Sequence, residues 1–321
     1  MKIFTMNKIA LLAGVFIFPA YGQVINNAMT PAIPGVVGGG VGIELIKDGF
    51  DGTEGPIGLA DGSFLFTETR AERIVHIAAD NTVSTFLDKS NGANGLAFNK
   101  AQELYAVQVL KPAVGIIHPP GHEKVLATEF DGKPLQRPND IVIDKTGGIY
   151  FTDSGINATA ENPHPTDSRP AVYYLGAAGE LKQLATDIGR PNGIQLSPDE
   201  RTLYVADTLG EYVLSYDIAA NGATTNRKNF ARLTGWQETA TGGSSGADGL
   251  AVDNEGKLYV ASNAGIEVFN EGGTALGVIA IPQKPQNLAF AGTDKAVLYV
   301  VGRGAVYKFP VLTAGYRDRA K

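Results

Sequence analysis

Four polar residues of this chain, Glu54, Asn139, Asn192 and Asp248, each stand immediately before a short apolar strand and form a set suited to holding one divalent cation. Two anionic oxygens and two neutral carbonyl oxygens balance the charge of such an ion. Oxygen-only ligation favours Ca²⁺, with Mg²⁺, Mn²⁺ or Zn²⁺ as alternatives; a structural zinc site would instead draw on thiolate or imidazole. Cysteine is absent, and none of the four histidines precedes a strand in this way. Two carboxylates converging on one point repel each other unless a cation lies between them. Four protein ligands leave coordination positions for water and substrate, as a catalytic ion requires. No covalent nucleophile is needed. Ser244-Ser245 lies in a Gly-rich stretch without the Gly-x-Ser-x-Gly elbow and reads as loop.

These residues can meet only if separate elements carry them to one place, and the sequence repeats a single strand pair six times. Asn139-Asp140-Ile141-Val142-Ile143 leads to Ile149-Tyr150-Phe151-Thr152, and Asp248-Gly249-Leu250-Ala251-Val252 leads to Leu258-Tyr259-Val260-Ala261. Related copies open at Glu54 with Pro56, at Asn94, at Asn192 and at Asn287. Each copy is an apolar strand, a polar turn and a second strand rich in β-branched and aromatic residues. A further strand pair lies between copies, and the units recur about every 40 to 55 residues, which is the sequence signature of a propeller. A generic sandwich has no reason to repeat one opening residue. The fold class is therefore all-β, a six-bladed β-propeller of four-stranded blades around a central channel. The strand at 43–46 is expected to pair with the one at 305–309 and close the ring.

In such a blade the first strand lines the channel and the second runs back, so the loops leaving the second strands return to the face where the openers stand. Those loops hold Glu68, Arg70, Gln108, Asp153, Asp207, Tyr212, Asn263 and Arg303. Two longer segments reach the same face, 154–170 with His164 and 233–247 with Trp236. His164 is placed to contact substrate, and Trp236 either stacks on a ring or anchors its loop. Asn94 and Asn287 read as turn residues, since Asn readily satisfies backbone groups at such positions.

The ends of the chain have a different character. Lys2 and Lys8, the apolar run 9–18 and Ala20-Tyr21-Gly22 before Gln23 compose a secretory signal, and Met6-Asn7-Lys8 opens an equally good one. The boundaries that follow are a signal peptide over 1–22, a flexible Pro- and Gly-rich leader over 23–41, the propeller over 42–312 and a polar tail over 313–321. A periplasmic or secreted protein is expected. No later stretch approaches the ~20 apolar residues of a membrane anchor. Net charge is −6, and Lys and Arg are scattered, which argues against a nucleic-acid partner.

Glu54-Gly55-Pro56, Arg137-Pro138-Asn139-Asp140, Pro191-Asn192-Gly193 with Ser197-Pro198-Asp199, and Asp248-Gly249-Leu250-Ala251-Val252-Asp253, in this order and spacing, resemble the gluconolactonase/regucalcin (senescence marker protein) family of metal-dependent six-bladed propellers. The resemblance covers nearly all of the mature chain. It implies Glu54, Asn139, Asn192 and Asp248 as metal ligands, Asp248 also as base, and Arg137 as a substrate contact. Gly246-Ala247 departs from the Arg-Pro that often precedes the aspartate. The expected activity is hydrolysis of a small-molecule sugar lactone or related cyclic ester, with the ion polarising the carbonyl, Asp248 accepting the proton of the attacking water, and Asn139 and Asn192 orienting the substrate. Two alternatives stand beside it. One is phosphotriester or fluorophosphate cleavage, since diisopropylfluorophosphatase uses a similar ligand set. The other is a non-catalytic propeller that binds a ligand.

Overall fold

The computed structural model describes residues 28–162, 165–239 and 242–319. Strands form wherever the repeat places apolar and β-branched residues between turns, and they assemble into six antiparallel sheets of four strands. Blades 1 to 5 use consecutive strands. They run from Thr53–Gly58 to Val83–Asp88, from Ala93–Phe98 to Lys124–Ala127, from Pro138–Ile143 to Leu181–Ala185, from Pro191–Leu196 to Thr224–Arg232, and from Leu250–Val252 to Ala275–Ile279. Blade 6 takes Asn287–Ala291, Val297–Gly302 and Ala305–Pro310, and its fourth strand is Glu44–Lys47 from the beginning of the domain. Glu44 pairs with Lys308 and Leu45 with Tyr307, so both ends of the propeller share one sheet and the ring closes as expected.

Cohesion comes from apolar side chains packed between blades. Leu65 and Ile74 of blade 1 meet Leu96 and Leu104 of blade 2. Phe64 of blade 1 stacks on Tyr299 of blade 6 with centroids 4.5 Å apart. Comparable clusters fill the other interfaces. Because each blade buries both faces against its neighbours, the strands read as apolar on both sides, and the polar residues left over collect at the strand ends. Among the described residues no helix is long and apolar enough to cross a membrane.

Two boundaries differ from the expectation. The signal peptide over 1–22 and the start of the leader lie outside the described residues, but from Ala28 onward the leader is packed rather than loose. Ile33 and Val37 bridge each other, Met29 bridges Gly42, and Ile33, Val36 and Val37 are buried in the cluster between blades 5 and 6. Its prolines and glycines shape turns that deliver these three side chains, and a Cβ on Gly277 would lie 2.7 Å from Ile33 Cδ1. The tail is packed as well. Gly315 bridges Asp253, Tyr316 N donates to Val252 O, and Arg319 is buried with its guanidinium on the Leu196 carbonyl and near Glu200. The tail thereby packs on blades 4 to 6 at the end of the channel opposite the strand openers. A cleft of about 360 Å³ remains there, shared by Arg317, Asp318 and Arg319 with turns of blades 1, 2, 3, 4 and 6.

A packed leader makes a distinct prediction. Ile33→Ala is expected to cost about 2 to 4 kcal/mol of unfolding free energy, read from denaturant midpoints. An unchanged midpoint would return the segment to the status of a loose leader.

Candidate metal-binding and active site

Neighbouring blades are tied together at the face where the inner strands begin, by their first and second strands alike. Thr67 Oγ1 donates to Asn94 O at 3.0 Å, and Thr152 Oγ1 to Asn192 O at 2.6 Å. Gly193 N donates to Asp248 O at 3.1 Å, and Gly249 N to Gln286 O at 2.8 Å. Gln286 Nε2 and Asn287 Nδ2 then donate to the Glu54 carboxylate at 3.1 and 3.3 Å, which carries the chain of contacts from blade 6 to blade 1. Glycine is required where strands approach this closely. A Cβ on Gly193 would fall 2.1 Å from the Asp248 carbonyl oxygen, and one on Gly249 would fall 1.9 Å from Asn287 Oδ1.

These links correct the register of blade 6. Gly249 N reaches Gln286 just as Gly193 N reaches Asp248, so Gln286 and not Asn287 occupies the opener position. Asn287 stands level with Asp140 of blade 3. Each turns its Oδ1 back onto the following backbone N–H at 2.9 Å, that of Leu288 and of Ile141 respectively. Asp140 also accepts from Ile194 N of blade 4. Asn94, read from sequence as a turn residue, is buried with its Oδ1 unpartnered.

The four proposed ligands all head inner strands at this end of the channel. Asn192 has a defined orientation. Thr208 Oγ1 donates its proton to Ala247 O at 2.8 Å, so toward Asn192 it can only accept, and it takes Nδ2 at 3.0 Å. The amide oxygen of Asn192 is thereby left buried without a partner, as is Asp248 Oδ1. Asn139 is buried at the head of blade 3, and its amide makes no hydrogen bond to another described residue. Glu54 and Asp248 interact electrostatically. Burial first, and the Asp248 carboxylate second, raise Glu54 well above the usual carboxylate range. Burial also pushes Asp248 up to about 7, aided by repulsion from Asp140 and opposed by Lys284, Arg190 and Arg303.

Orphaned buried oxygens beside two mutually repelling carboxylates fit an oxygen-liganded cation. No three Asp, Glu, His or Cys side chains form a metal-sized cluster among the described residues, so an ion here would draw on the Asn oxygens as well as on Glu54 and Asp248.

Residues around this set take separate roles. Asp153 accepts from the backbone N–H groups of Gln136, Arg137 and Gly155, and Asp207 from those of Gly189, Arg190 and Leu209. Both carboxylates are therefore buckles that fasten the approach to an inner strand. Arg137 sits two residues before Asn139 with its Nε buried and unpartnered. His164 lies outside the described residues. The ring of Trp236 packs against Gly243 of its own hairpin and anchors that loop. Ser244 and Ser245 donate to the carbonyls of Thr208 and Asp207, which makes them loop residues as expected. Arg190, Lys284 and Gln286 were not singled out from sequence. Arg190-Pro191-Asn192 repeats Arg137-Pro138-Asn139 and could have been found by that pattern, whereas Lys284-Pro285-Gln286 matches it only in the corrected register.

Residues 52–303 match the family described as SMP-30/Gluconolactonase/LRE-like region. The chain is 27% identical to a gluconolactonase of Zymomonas mobilis, over 89% of this chain and 86% of that protein. It is 26% identical to a diisopropyl-fluorophosphatase of Loligo vulgaris, over 82% and 90%. The structure of a gluconolactonase from Xanthomonas campestris superposes with a TM-score of 0.74 at 26% identity, covering 88% of this chain and 97% of that one.

Two predictions come from the site itself. With their carboxyl pKa values raised, Glu54 and Asp248 hold protons more tightly in the folded state than in the unfolded state. Their contribution to stability is full below the unfolded carboxylate range and is lost as pH rises, for Asp248 through about 7 and for Glu54 well above the usual carboxylate range. In chelator the melting temperature is therefore expected to fall from pH 5 to pH 8, and saturating Ca²⁺ to abolish most of that fall; a flat profile in chelator would contradict the electrostatics. Thr208→Val frees the Asn192 amide and is expected to weaken Ca²⁺ binding about tenfold by calorimetry, with the fold intact by circular dichroism.

Proposed function

The chain belongs to the SMP-30/gluconolactonase/LRE-like family, and on that footing we propose that it is a divalent-cation-dependent lactonase that opens a sugar lactone or a related cyclic ester. The observation that carries this reading is the convergence of the Glu54 and Asp248 carboxylates with the unpartnered Asn192 oxygen at one mouth of the channel. Glu54, Asn139, Asn192 and Asp248 would hold the ion, with Ca²⁺ matching the all-oxygen donors best. When bound, it supplies Lewis-acid polarisation of the ester carbonyl.

The chain's own residues account for the remaining steps. Asn139 and Asn192, held at the heads of neighbouring strands, fix the position of the ester relative to Asp248. Asp248 accepts the proton of the attacking water as the new C–O bond forms at the carbonyl carbon. It returns that proton to the ring oxygen as the ring C–O bond breaks, so the products are the open hydroxy acid and an unchanged carboxylate. Arg137, fastened through its backbone to Asp153, borders the same mouth and contacts the sugar. The buckled inner-strand heads keep these groups from moving independently.

Similarity to a diisopropyl-fluorophosphatase supports a second reading, cleavage of a phosphorus–fluorine or phosphotriester bond at the same residues. The test is a direct comparison of glucono-δ-lactone and diisopropyl fluorophosphate, with Ca²⁺ and with chelator. Faster lactone turnover that chelator abolishes is expected. Asp248→Asn and Glu54→Gln should each lower kcat by about 10² to 10⁴-fold. Full lactonase activity in Asp248→Asn would overturn the mechanism, and a clear preference for the fluorophosphate would transfer the assignment to the second reading. Absence of turnover on both would leave a binding protein.

A further inference from the structure

Three of the six inner strands are entered through a cation, a proline and an amide: Arg137-Pro138-Asn139, Arg190-Pro191-Asn192 and Lys284-Pro285-Gln286. The second and third flank the strand headed by Asp248, whose own approach has Gly246 at the equivalent place. Lys284 compensates for that glycine in space. A Cβ on Gly246 would lie 2.6 Å from Lys284 Nζ and 2.1 Å from Asn263 Oδ1, the acceptor that holds Nζ at 2.5 Å. Arg303 joins the group from the return loop of blade 6, where its backbone N–H is fixed by Gln286 Oε1 at 2.8 Å.

None of these four cations has a carboxylate partner in an ion pair among the described residues. Arg190 is tied only to a neutral group, Asn157 Oδ1 at 2.6 Å, and the Nε atoms of Arg137 and Arg190 are buried without acceptors. The cations lie within electrostatic reach of one another, and Arg190 and Lys284 also feel the Asp248 carboxylate. Arg137 is the charge felt most strongly by Arg190, and Arg303 the one felt most strongly by Lys284. Carboxylates near them on this face are already engaged. Asp153 and Asp207 accept backbone N–H groups, and Glu267 accepts from Thr234, Gly235 and Ser262. Glu54, Asp140 and Asp248 do not balance four cations, and a divalent ion held by Glu54 and Asp248 would make the mouth more positive still. Arg137, Arg190 and Lys284 are partly buried and Arg303 is exposed; partly buried cations in excess of the carboxylates near them call for a further anion.

We propose that the substrate carries an oxyanion, a carboxylate or phosphate substituent on the lactone, bound by Arg190, Lys284 and Arg303 alongside Arg137. This deepens the lactonase reading and rests on it for the ring chemistry. The anion is recognised by cations of blades 3, 4 and 6 around the head of blade 5, and the bidentate geometry of Arg190 suits either oxyanion. Gly246 leaves the space that Lys284 fills, so the charge comes from blade 6 rather than from the residue preceding the aspartate.

The test uses the full chain loaded with Ca²⁺ and two kinds of probe. Kinetics compare glucono-δ-lactone with its 6-carboxylate and 6-phosphate counterparts, and calorimetry compares the three corresponding δ-lactams, which resist hydrolysis. Lactams bearing carboxylate or phosphate are expected to bind at least tenfold more tightly than the neutral one, and the better of the two names the substituent. The same order is expected in KM. Arg190→Gln and Lys284→Gln should each shrink the anionic preference about tenfold, while Lys284→Arg retains it. A structural role for these residues, or an anion bound directly to the Ca²⁺ ion, would leave that preference intact in the Gln variants and overturn the proposal. Equal binding of neutral and anionic lactams would overturn it too. Should no lactone be turned over while the anionic lactams still bind preferentially and the Gln variants lose that preference, the anion site stands and the lactonase reading alone fails.

Discussion

Inner strands of neighbouring blades come so close at one mouth of the channel that Gly55, Gly95, Gly193 and Gly249 have no room for a Cβ beside the next blade. That approach determines much of what surrounds it. It lets Gly193 and Gly249 donate across blades, and it places the carboxylates and amides at the strand heads within electrostatic reach of one another. Had these strands been held apart by side chains, Glu54 and Asp248 would belong to separate surfaces with ordinary solvated carboxylates. Close packing is what turns six local turns into one polar cluster, and the interblade apolar clusters are what make close packing favourable.

Carboxylates on this face divide into two populations by what they accept. Asp153 and Asp207 are saturated by backbone N–H groups and act as fasteners. Asp248 retains an oxygen without a partner, and Glu54 receives only amide donors. The first population stabilises the approach to the strands, whereas the second stores unfavourable interactions that a cation can relieve. Residues of one chemical type, a few ångströms from the same channel, thus serve opposite ends because the backbone offers donors to one and withholds them from the other.

How much of this was legible in the sequence follows from the range of the interactions. The blade count and strand order depend on a local pattern of apolar residues and turns, which repeats and can be read directly. Glu54 and Asp248 stood out because they interrupt a repeat of asparagines. Gln286 did not, since its register depends on the bond from Gly249 in the preceding blade, and Asn287 imitates an opener in sequence alone. Packing of Ile33 and Val36 was hidden for a similar reason. Their Pro- and Gly-rich context describes turns but says nothing about the groove between blades 5 and 6 that receives them. Burial of Arg319 likewise requires the Leu196 carbonyl and Glu200, more than a hundred residues away.

The tail that carries Arg319 ties together blades that the repeat alone would leave joined only to their neighbours. Lys295 Nζ of blade 6 donates to the carbonyls of Tyr316 and Arg319, Tyr316 N donates to Val252 O of blade 5, and Arg319 reaches Leu196 O of blade 4, so the segment is stitched to three consecutive blades at the far opening. The last residues of the domain therefore clasp half of the ring at that end, beside the cleft that remains there. Loosening that clasp would free three blades together, so the stability of half the ring depends on a few residues at the end of the domain.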